Sequence, residues 1–222
     1  MFFINEYNKS LGQKIIIMIT FIIALVSSAW LMFYPGGSRY QIDGDLIRRI
    51  VLLSCSVIYI IRIAIMAFVF LKRKLVWLEA ITIAILMPII IFVLSYAGGN
   101  QSLPINLFDI TGILLYLFGS YVNTRSEYLR HLWKQNPANK GQVYTQGLFK
   151  YSMHINYFGD VVLFAGWAMI TQHSTLLLIP LFMALNFAIF IIPSLDNYLE
   201  QKYGKEFQKY AAHTKKLIPL IY

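Results

Sequence analysis

The sequence predicts an all-α integral membrane protein with about six transmembrane helices. Apolar residues make up 58% of the 222 residues and charged residues only 13%, against a usual charged share of about 25% in soluble domains. Apolar runs recur along the chain, and most basic residues lie between them. A soluble fold this apolar would lack the polar groups to cover its surface, so we expect the apolar runs to face lipid.

Six apolar segments are the candidate helices, since a helix needs about 20 residues to cross the hydrocarbon core. They cover residues 14–33, 47–71, 75–97, 105–122, 157–171 and 176–192. The first run is too long for a signal peptide and is expected to be retained as a helix. We expect the Pro35-Gly36-Gly37 turn to end it, and Pro193 to end the sixth.

The basic residues predict the orientation. Residues 72–74 are Lys-Arg-Lys, the loop 123–156 carries five basic residues and one acid, and the tail after Pro193 has five lysines and three acids. Six crossings place these segments and the N-terminus on one side, which the positive-inside tendency identifies as cytoplasmic. The net charge of +9 is therefore explained by the orientation of the chain in the membrane. We predict no nucleic-acid partner.

The tail has an amphipathic helical pattern. Apolar or aromatic residues recur at spacings of three or four, at Leu195, Leu199, Tyr203, Phe207 and Tyr210. We expect one helix that lies along the membrane surface or closes over the basic loop.

A charged residue within the second segment also needs an explanation. Arg62 lies midway through that segment, where an ionised group is costly and requires a partner or a water-filled cavity. Candidate acids are Glu79, Asp109 and Asp160. The pair either fixes helix packing or lines a polar pocket.

Residues 151–160 form the densest polar cluster, where the loop 123–156 enters the fifth segment. Tyr151, His154, Asn156, Tyr157 and Asp160 supply several donors and acceptors within ten residues. A metal site is not expected, because the four histidines are scattered and Cys55 is the single cysteine. Neither a glycine-rich dinucleotide fingerprint nor a P-loop is present.

Residues 147–160, Gly-Leu-Phe-Lys-Tyr-Ser-Met-His-Ile-Asn-Tyr-Phe-Gly-Asp, resemble a motif of a membrane-enzyme superfamily. The motif reads Gly-Leu-aromatic-x-Tyr-Ser-Arg-His-x-Asn-Tyr-x-Gly-Glu/Asp. The superfamily includes steroid 5-alpha-reductases, sterol reductases and isoprenylcysteine carboxyl methyltransferases. The tail, Lys202-Tyr-Gly through Tyr210 to Ile218-Pro-Leu-Ile-Tyr, is similar to that superfamily's ending. Upstream, Tyr59-Ile-Ile-Arg62-Ile and Leu71-Lys-Arg resemble an arginine-bearing helix in the bacterial reductase-like branch, which implies the bacterial inner membrane rather than the endoplasmic reticulum.

The resemblance implies an NADPH-dependent reductase of a carbon–carbon double bond in an apolar, lipid-like or steroid-like substrate. Residues 1–222 would form a single membrane domain, with N-terminal helices in 1–104 and the cofactor-binding half in 105–222. The implied catalytic residues are Tyr157, Tyr151 and Asp160. The implied cofactor-binding residues are His154, Asn156, Asn123, Arg125, Arg130, Lys150, Tyr203 and Tyr210.

Two positions depart from the superfamily's pattern. Met153 stands where an arginine is usual, and Ser126 stands at the lysine position of a reductase Asn-x-x-Lys motif that begins at Asn123. Because both changes remove a cation, two alternatives remain open. One is an S-adenosylmethionine-dependent methyltransferase acting on a membrane-embedded substrate. The other is a membrane protein that keeps the fold without enzymatic activity.

Overall fold

A computed structural model describes residues 9–34 and 43–222, and within these ranges the chain forms eight α-helices and no β-strand. The predicted turn at residues 35–37 lies outside the described residues. The helices are α1 (Leu11–Phe33), α2 (Leu46–Ile65), α3 (Trp77–Gly99), α4 (Leu107–Gln135), α5 (Ile155–Ile170), α6 (Leu178–Asn186), α7 (Ile192–Tyr203) and α8 (Lys205–His213). The all-α membrane class predicted from the composition is confirmed.

Four helical stretches of the described chain are long and apolar enough to cross a membrane, rather than about six. They are Leu11–Phe33, Leu46–Phe70, Trp77–Gly99 and Ser174–Tyr203. The fifth predicted segment forms α5, which has only 16 residues. The fourth forms α4, in which charged residues follow the apolar part from Arg125 onward. Apolar runs identified both elements, but runs alone overstate the number of helices that qualify as full spans.

Two helix boundaries differ from the prediction for identifiable physical reasons. Helix α4 continues 13 residues beyond residue 122, because residues 123–135 favour a helix and contribute side-chain pairs such as Glu127 with Arg130. Pro193 does not end the sixth segment. A π-helical turn, Phe187–Ile191, precedes it and the proline occupies the first turn of α7, where no amide hydrogen is needed.

The tail is two helices rather than the single amphipathic helix predicted. Gly204 separates α7 from α8 and has a φ of 55°. A residue with a side chain rarely adopts this left-handed region, so the glycine allows the chain to leave α7 and start α8 in a new direction.

The described chain divides into two compact units. The first comprises residues up to 114 together with 166–177, and the second comprises 115–165 with 178–222. In the first unit α1, α2 and α3 pack against one another. The ring of Tyr59 stacks on Phe21 with centroids 6.0 Å apart and meets the edge of Trp167 at 5.8 Å.

A buried ion pair closes one end of the first unit. The Arg48 guanidinium is fully buried and donates to Asp109 Oδ2 at 2.8 Å. Its other nitrogens donate to the carbonyl oxygens of Gln101, Leu103 and Ile170. Gln172 Nε2 also donates to Asp109 Oδ2 at 2.8 Å. These bonds, which we call the Arg48 clasp, connect the start of α2 to the start of α4 and the end of α5.

Arg62 is buried, as its position in the second segment predicted, and its guanidinium lies 5.0 Å from the ring centroid of Tyr59. Two of its three candidate partners are bonded to other arginines. Glu79 binds Arg73, with Arg73 Nη1 at 2.8 Å from Glu79 Oε2, and Asp109 binds Arg48. The sequence pattern identified the buried arginine but did not identify which acids were available to it.

Candidate functional site

The polar cluster at residues 151–160 lies in the second unit and is bonded to the C-terminal tail through main-chain groups. Met153 N donates to Lys215 O at 2.8 Å, and His154 N donates to Lys216 O at 3.0 Å. The Ser152 hydroxyl donates to the carbonyl oxygens of Lys216 and Leu217. These bonds hold the residues that follow α8 against the entrance to α5.

A buried histidine, His154, pairs with the partly buried Asp196 within this cluster. His154 is 2% exposed, and its Nε2 lies 2.8 Å from Asp196 Oδ1 on α7. The Lys216 ammonium lies 3.9 Å from the other carboxylate oxygen. The pair fixes the orientation of the imidazole, as a carboxylate does for a histidine that must hold or pass a proton.

Aromatic rings extend from the His154 imidazole. The ring of Tyr157 stacks on it with centroids 5.8 Å apart, and Phe187 stacks on the far side of Tyr157 at 4.6 Å. Phe187 opens the π-helical turn that precedes α7. The stack therefore holds a phenol beside the histidine with restricted rotation.

A second polar group links α4 to the start of α5. Asn123 Nδ2 donates to Asn156 O at 2.9 Å, and Asn156 Nδ2 donates to Glu127 Oε1 at 3.0 Å. Glu127 is 4% exposed and accepts two bonds from Arg130 Nη2. The arginine thus neutralises a carboxylate that would otherwise be buried uncompensated.

Glycines bring the two helices close enough for these bonds. A Cβ at Gly159 would lie 2.7 Å from Asn123 N and 2.8 Å from Gly119 O. A Cβ at Gly119 would lie 2.5 Å from Gly159 O. Because real side chains do not fit at these distances, the α4–α5 contact depends on two glycines, and it places Asn123 next to Asn156.

The Asn123 side chain retains one unused acceptor. Asn123 is 4% exposed, and its Oδ1 is buried with no hydrogen-bond partner among the described residues. A buried amide oxygen without a donor costs about 1–3 kcal/mol. Such a group at the centre of a polar cluster is a candidate acceptor for a ligand that enters the cluster.

A cluster of buried aromatic and apolar side chains also stabilises the second unit. Val122, Tyr144, Phe149 and Ile155 are buried together, and the Tyr210 hydroxyl on α8 donates to Phe149 O. Burial raises the pKa of Tyr210 above the ordinary tyrosine value, with Arg130 acting in the opposite direction. Tyr210 therefore remains a neutral donor, and its bond to Phe149 O holds α8 against the loop 123–156.

With this geometry defined, comparison with known proteins places the chain in a family. Residues 61–214 match the family model DUF1295, described as a protein of unknown function. The match covers more than half of the chain. The chain belongs to the DUF1295 family.

Two relatives connect this DUF1295 chain to the superfamily suggested by its motif. It is 31% identical to 3-oxo-5-alpha-steroid 4-dehydrogenase 1 of Rattus norvegicus over 117 residues, which are 50% of this chain and 41% of that protein. It is 29% identical to the probable O-methyltransferase ustE of Ustilaginoidea virens over 109 residues, 49% of this chain and 38% of that protein. The matches thus span less than half the length of each relative. The predicted superfamily is confirmed, and the chain is a steroid-reductase-like membrane protein.

The DUF1295 fold brings together five of the predicted site residues. His154, Asn156, Tyr157, Asn123 and Arg130 lie in the two bonded groups described above. Asp160 follows Asn156 by one helical turn on α5 and is half-buried.

The other predicted residues are more peripheral. Tyr151 is exposed, with the Lys150 ammonium 4.7 Å from its ring centroid. Tyr203 ends α7 beside Lys202, and Tyr210 bonds to the loop. Arg125 is exposed two residues after Asn123, which puts it on the opposite face of α4.

Sequence reasoning missed Glu127 and Asp196 as site residues. Glu127 follows Asn123 by four residues, so helical spacing gave a usable signal once α4 was extended beyond residue 122. Asp196 is separated from His154 by 42 residues, and no local pattern connects them. No group of three or more potential metal ligands occurs in the parts of the chain that the structure describes.

Proposed function

We propose that this protein is an NADPH-dependent reductase of a carbon–carbon double bond in a lipid-like or steroid-like substrate. The observation that carries the proposal is the buried Oδ1 of Asn123, an acceptor that no described group satisfies, within a network of Asn156, Glu127 and Arg130. The 31% identity to 3-oxo-5-alpha-steroid 4-dehydrogenase 1 supports a reductase.

The polar and charged groups of the second unit suit this cofactor. The carboxamide N–H groups of a nicotinamide are donors of the kind that Asn123 Oδ1 lacks. Cations for the phosphates are present on the loop and the tail, because Lys150 and Lys216 are exposed and Arg130 is only partly buried. Arg125 is not included in this set, since it lies on the face of α4 opposite Asn123.

The residues of the chain have separate roles in this proposal. Bound NADPH supplies the hydride. Tyr157 is the proton donor, held in position by the rings of His154 and Phe187. Asp196 orients His154, and Asp160, one turn from Asn156, is the further candidate for proton transfer. Tyr151 is exposed at the loop, where an apolar substrate would enter.

The second candidate is an S-adenosylmethionine-dependent methyltransferase. The specific observation in its favour is Met153, which is buried at the superfamily's arginine position and removes one cation from the site. This loss weakens a phosphate-rich cofactor more than one without phosphates. The 29% identity to a probable O-methyltransferase supports the same alternative.

A ligand panel separates the candidates. The purified protein in a mild detergent is melted alone and with NADPH, NADH, S-adenosylmethionine or S-adenosylhomocysteine. We expect NADPH to raise the melting temperature most, because it is the cofactor of the proposed reductase. A ligand at 100 times its Kd stabilises the folded state by about 2.7 kcal/mol. Asn156→Ala should abolish the rise, whereas His173→Ala, in the other compact unit, should leave it unchanged.

Each other outcome has a defined meaning. A rise with S-adenosylmethionine or its product, and none with NADPH, contradicts the reductase and favours the methyltransferase. A rise with NADPH that persists in Asn156→Ala places the cofactor away from this cluster. No rise with any of the four ligands favours the non-enzymatic alternative.

A further inference from the structure

An open groove of about 350 Å³ runs along the face of α4 that points away from α5. Its lining is Leu117, Ser120, Tyr121, Thr124, Arg125 and Tyr128. These residues are three or four positions apart and form one helical stripe. The buried residues of the same helix, among them Val122, Asn123 and Ser126, lie on the other side. The groove is therefore distinct from the polar cluster at Asn123.

The cation in this groove has no carboxylate partner in residues 9–34 and 43–222. Arg125 lies 5.9 Å from the ring centroid of Tyr128, and among the described residues its guanidinium has no carboxylate or carbonyl partner. By contrast, Arg48, Arg73 and Arg130 are each bonded to an acid. A guanidinium with its donor fork open matches phosphate oxygens in geometry and charge.

The hydroxyls near Arg125 are also available. Ser120 and Thr124 lie one and two turns from the apolar end of the groove and are half-buried. Neither hydroxyl bonds to another group in the part of the chain that the structure describes. Together with Arg125 they provide several donors over about one and a half helical turns.

The groove is apolar at one end and polar at the other, as a phospholipid is. Leu117 is exposed at the apolar end, and Tyr121 is 60% exposed further along. The polar end holds Thr124, Arg125 and Tyr128. Tyrosine and arginine where the apolar part of a helix ends are typical of the headgroup level of a membrane.

We propose that this groove binds an anionic phospholipid, with the headgroup phosphate at Arg125 and Thr124 and an acyl chain along Leu117 and Tyr121. The charge complementarity of a phosphate and a guanidinium that has no carboxylate partner among the described residues selects this occupant. The surrounding net positive charge of the loop 123–156 favours anionic over neutral lipids. The site is independent of the proposed cofactor site.

The test compares lipids that differ in headgroup charge. The purified full chain in a neutral detergent is melted with short-chain phosphatidylglycerol or with phosphatidylcholine of the same chain length. We expect phosphatidylglycerol to raise the melting temperature by about 2–4 °C more than phosphatidylcholine. Arg125→Gln should lose this difference and Arg125→Lys should keep part of it, because the charge remains without the fork.

Matched variants and ligands complete the test. Lys209→Gln removes an exposed cation from α8 in the same unit and should keep the full difference between the two lipids. Thr124→Val retains the guanidinium and should reduce the difference, which keeps the test decisive if Arg125→Gln folds poorly. Inorganic phosphate and oleate are the remaining arms, and we expect each to give a smaller shift than phosphatidylglycerol.

Three results would overturn the proposal. The first is an equal shift with both lipids in the unmodified protein. The second is a phosphatidylglycerol shift that is unchanged in Arg125→Gln and in Thr124→Val. The third is a shift with phosphate or oleate as large as that with phosphatidylglycerol, because either would show that the groove does not recognise a whole phospholipid.

Discussion

Each compact unit contains a buried acid that is neutralised by an arginine. Asp109 accepts from Arg48 in the first unit, and Glu127 accepts from Arg130 in the second. Removing one member of a buried pair is costly because the remaining charge stays in a medium of low polarity. The pair in the first unit is fully buried, so its loss should be measurable in the stability of the whole chain.

We expect Arg48→Met to reduce the free energy of unfolding by about 3–5 kcal/mol, since Asp109 loses its partner. Lys209→Met is the control, because Lys209 is exposed on α8 and lies outside both proposed sites, and it should change stability by less than about 0.5 kcal/mol. Denaturant unfolding in mixed micelles measures both variants. Equal free energies for the two would contradict the structural role of the clasp.

The sequence indicated which polar side chains cluster better than it indicated their partners. His154, Asn156 and Tyr157 were predictable because they lie within a few residues of one another. Asp196 could not be assigned to His154, because that contact depends on how α7 folds back on the loop. Arg48 was likewise missed because it lies near a helix start, where an exposed arginine is common.

The α4–α5 contact is the element that builds the candidate site. Gly119 and Gly159 allow the two backbones to approach, and this approach sets the bond from Asn123 to Asn156 O. A methyl group at either position would force the helices apart. The stability of the contact and the shape of the site therefore depend on the same two residues.

Gly159→Ala should destabilise the protein by roughly 1–3 kcal/mol through overpacking, and it should also weaken binding of the cofactor found in the ligand panel. Gly141→Ala is the control, because it measures the backbone cost of replacing a glycine without adding a steric clash. A Cβ at Gly141 meets nothing within 4 Å, although its φ is 86°, so only a conformational cost near 1 kcal/mol is expected. Melting curves with and without cofactor report both effects. Unchanged cofactor binding in Gly159→Ala would show that the contact does not shape the site.

Helix positions followed closely from apolar runs, but the end of α4 and the end of the sixth segment did not. The predicted segments 14–33 and 75–97 differ by three residues or fewer from α1 and α3 at each end. The error at α4 arose because an apolar run marks where lipid contact ends, while the helix itself continues into the polar loop. The π-helical turn before Pro193 has no signature in hydropathy, so its effect on the sixth segment was not predictable.

Over the whole molecule, the charge asymmetry of the sequence predicts a membrane sidedness that needs α4 and α5 to cross in addition to the four long apolar stretches. In the second unit the loop and tail are joined, for example by Val143 N donating to Glu206 Oε1 at 3.1 Å. In the first unit His173 Nε2 lies 3.2 Å from Ala97 O. The 30-residue stretch Ser174–Tyr203 is long enough to cross the membrane between His173 and the tail.

We therefore expect Asn139 and the C-terminal Tyr222 to face the cytoplasm and Asn100 to face the opposite side. A reporter that is active only in the cytoplasm, fused at each position in turn, tests this directly. It should be active at Asn139 and Tyr222 and silent at Asn100. Activity at Asn100 or silence at Asn139 would contradict the predicted orientation.

The dissociation constant for NADPH, measured in the unmodified protein and in Asn123→Ala, tests the central claim most directly. Loss of a buried acceptor that bonds the ligand should raise the Kd at least about tenfold, which corresponds to about 1.4 kcal/mol. Asn197→Ala is the matched control, since Asn197 is exposed on α7 in the same unit and its loss should leave the Kd unchanged. A Kd in Asn123→Ala equal to that of the unmodified protein, or no NADPH binding by the unmodified protein, would contradict the account.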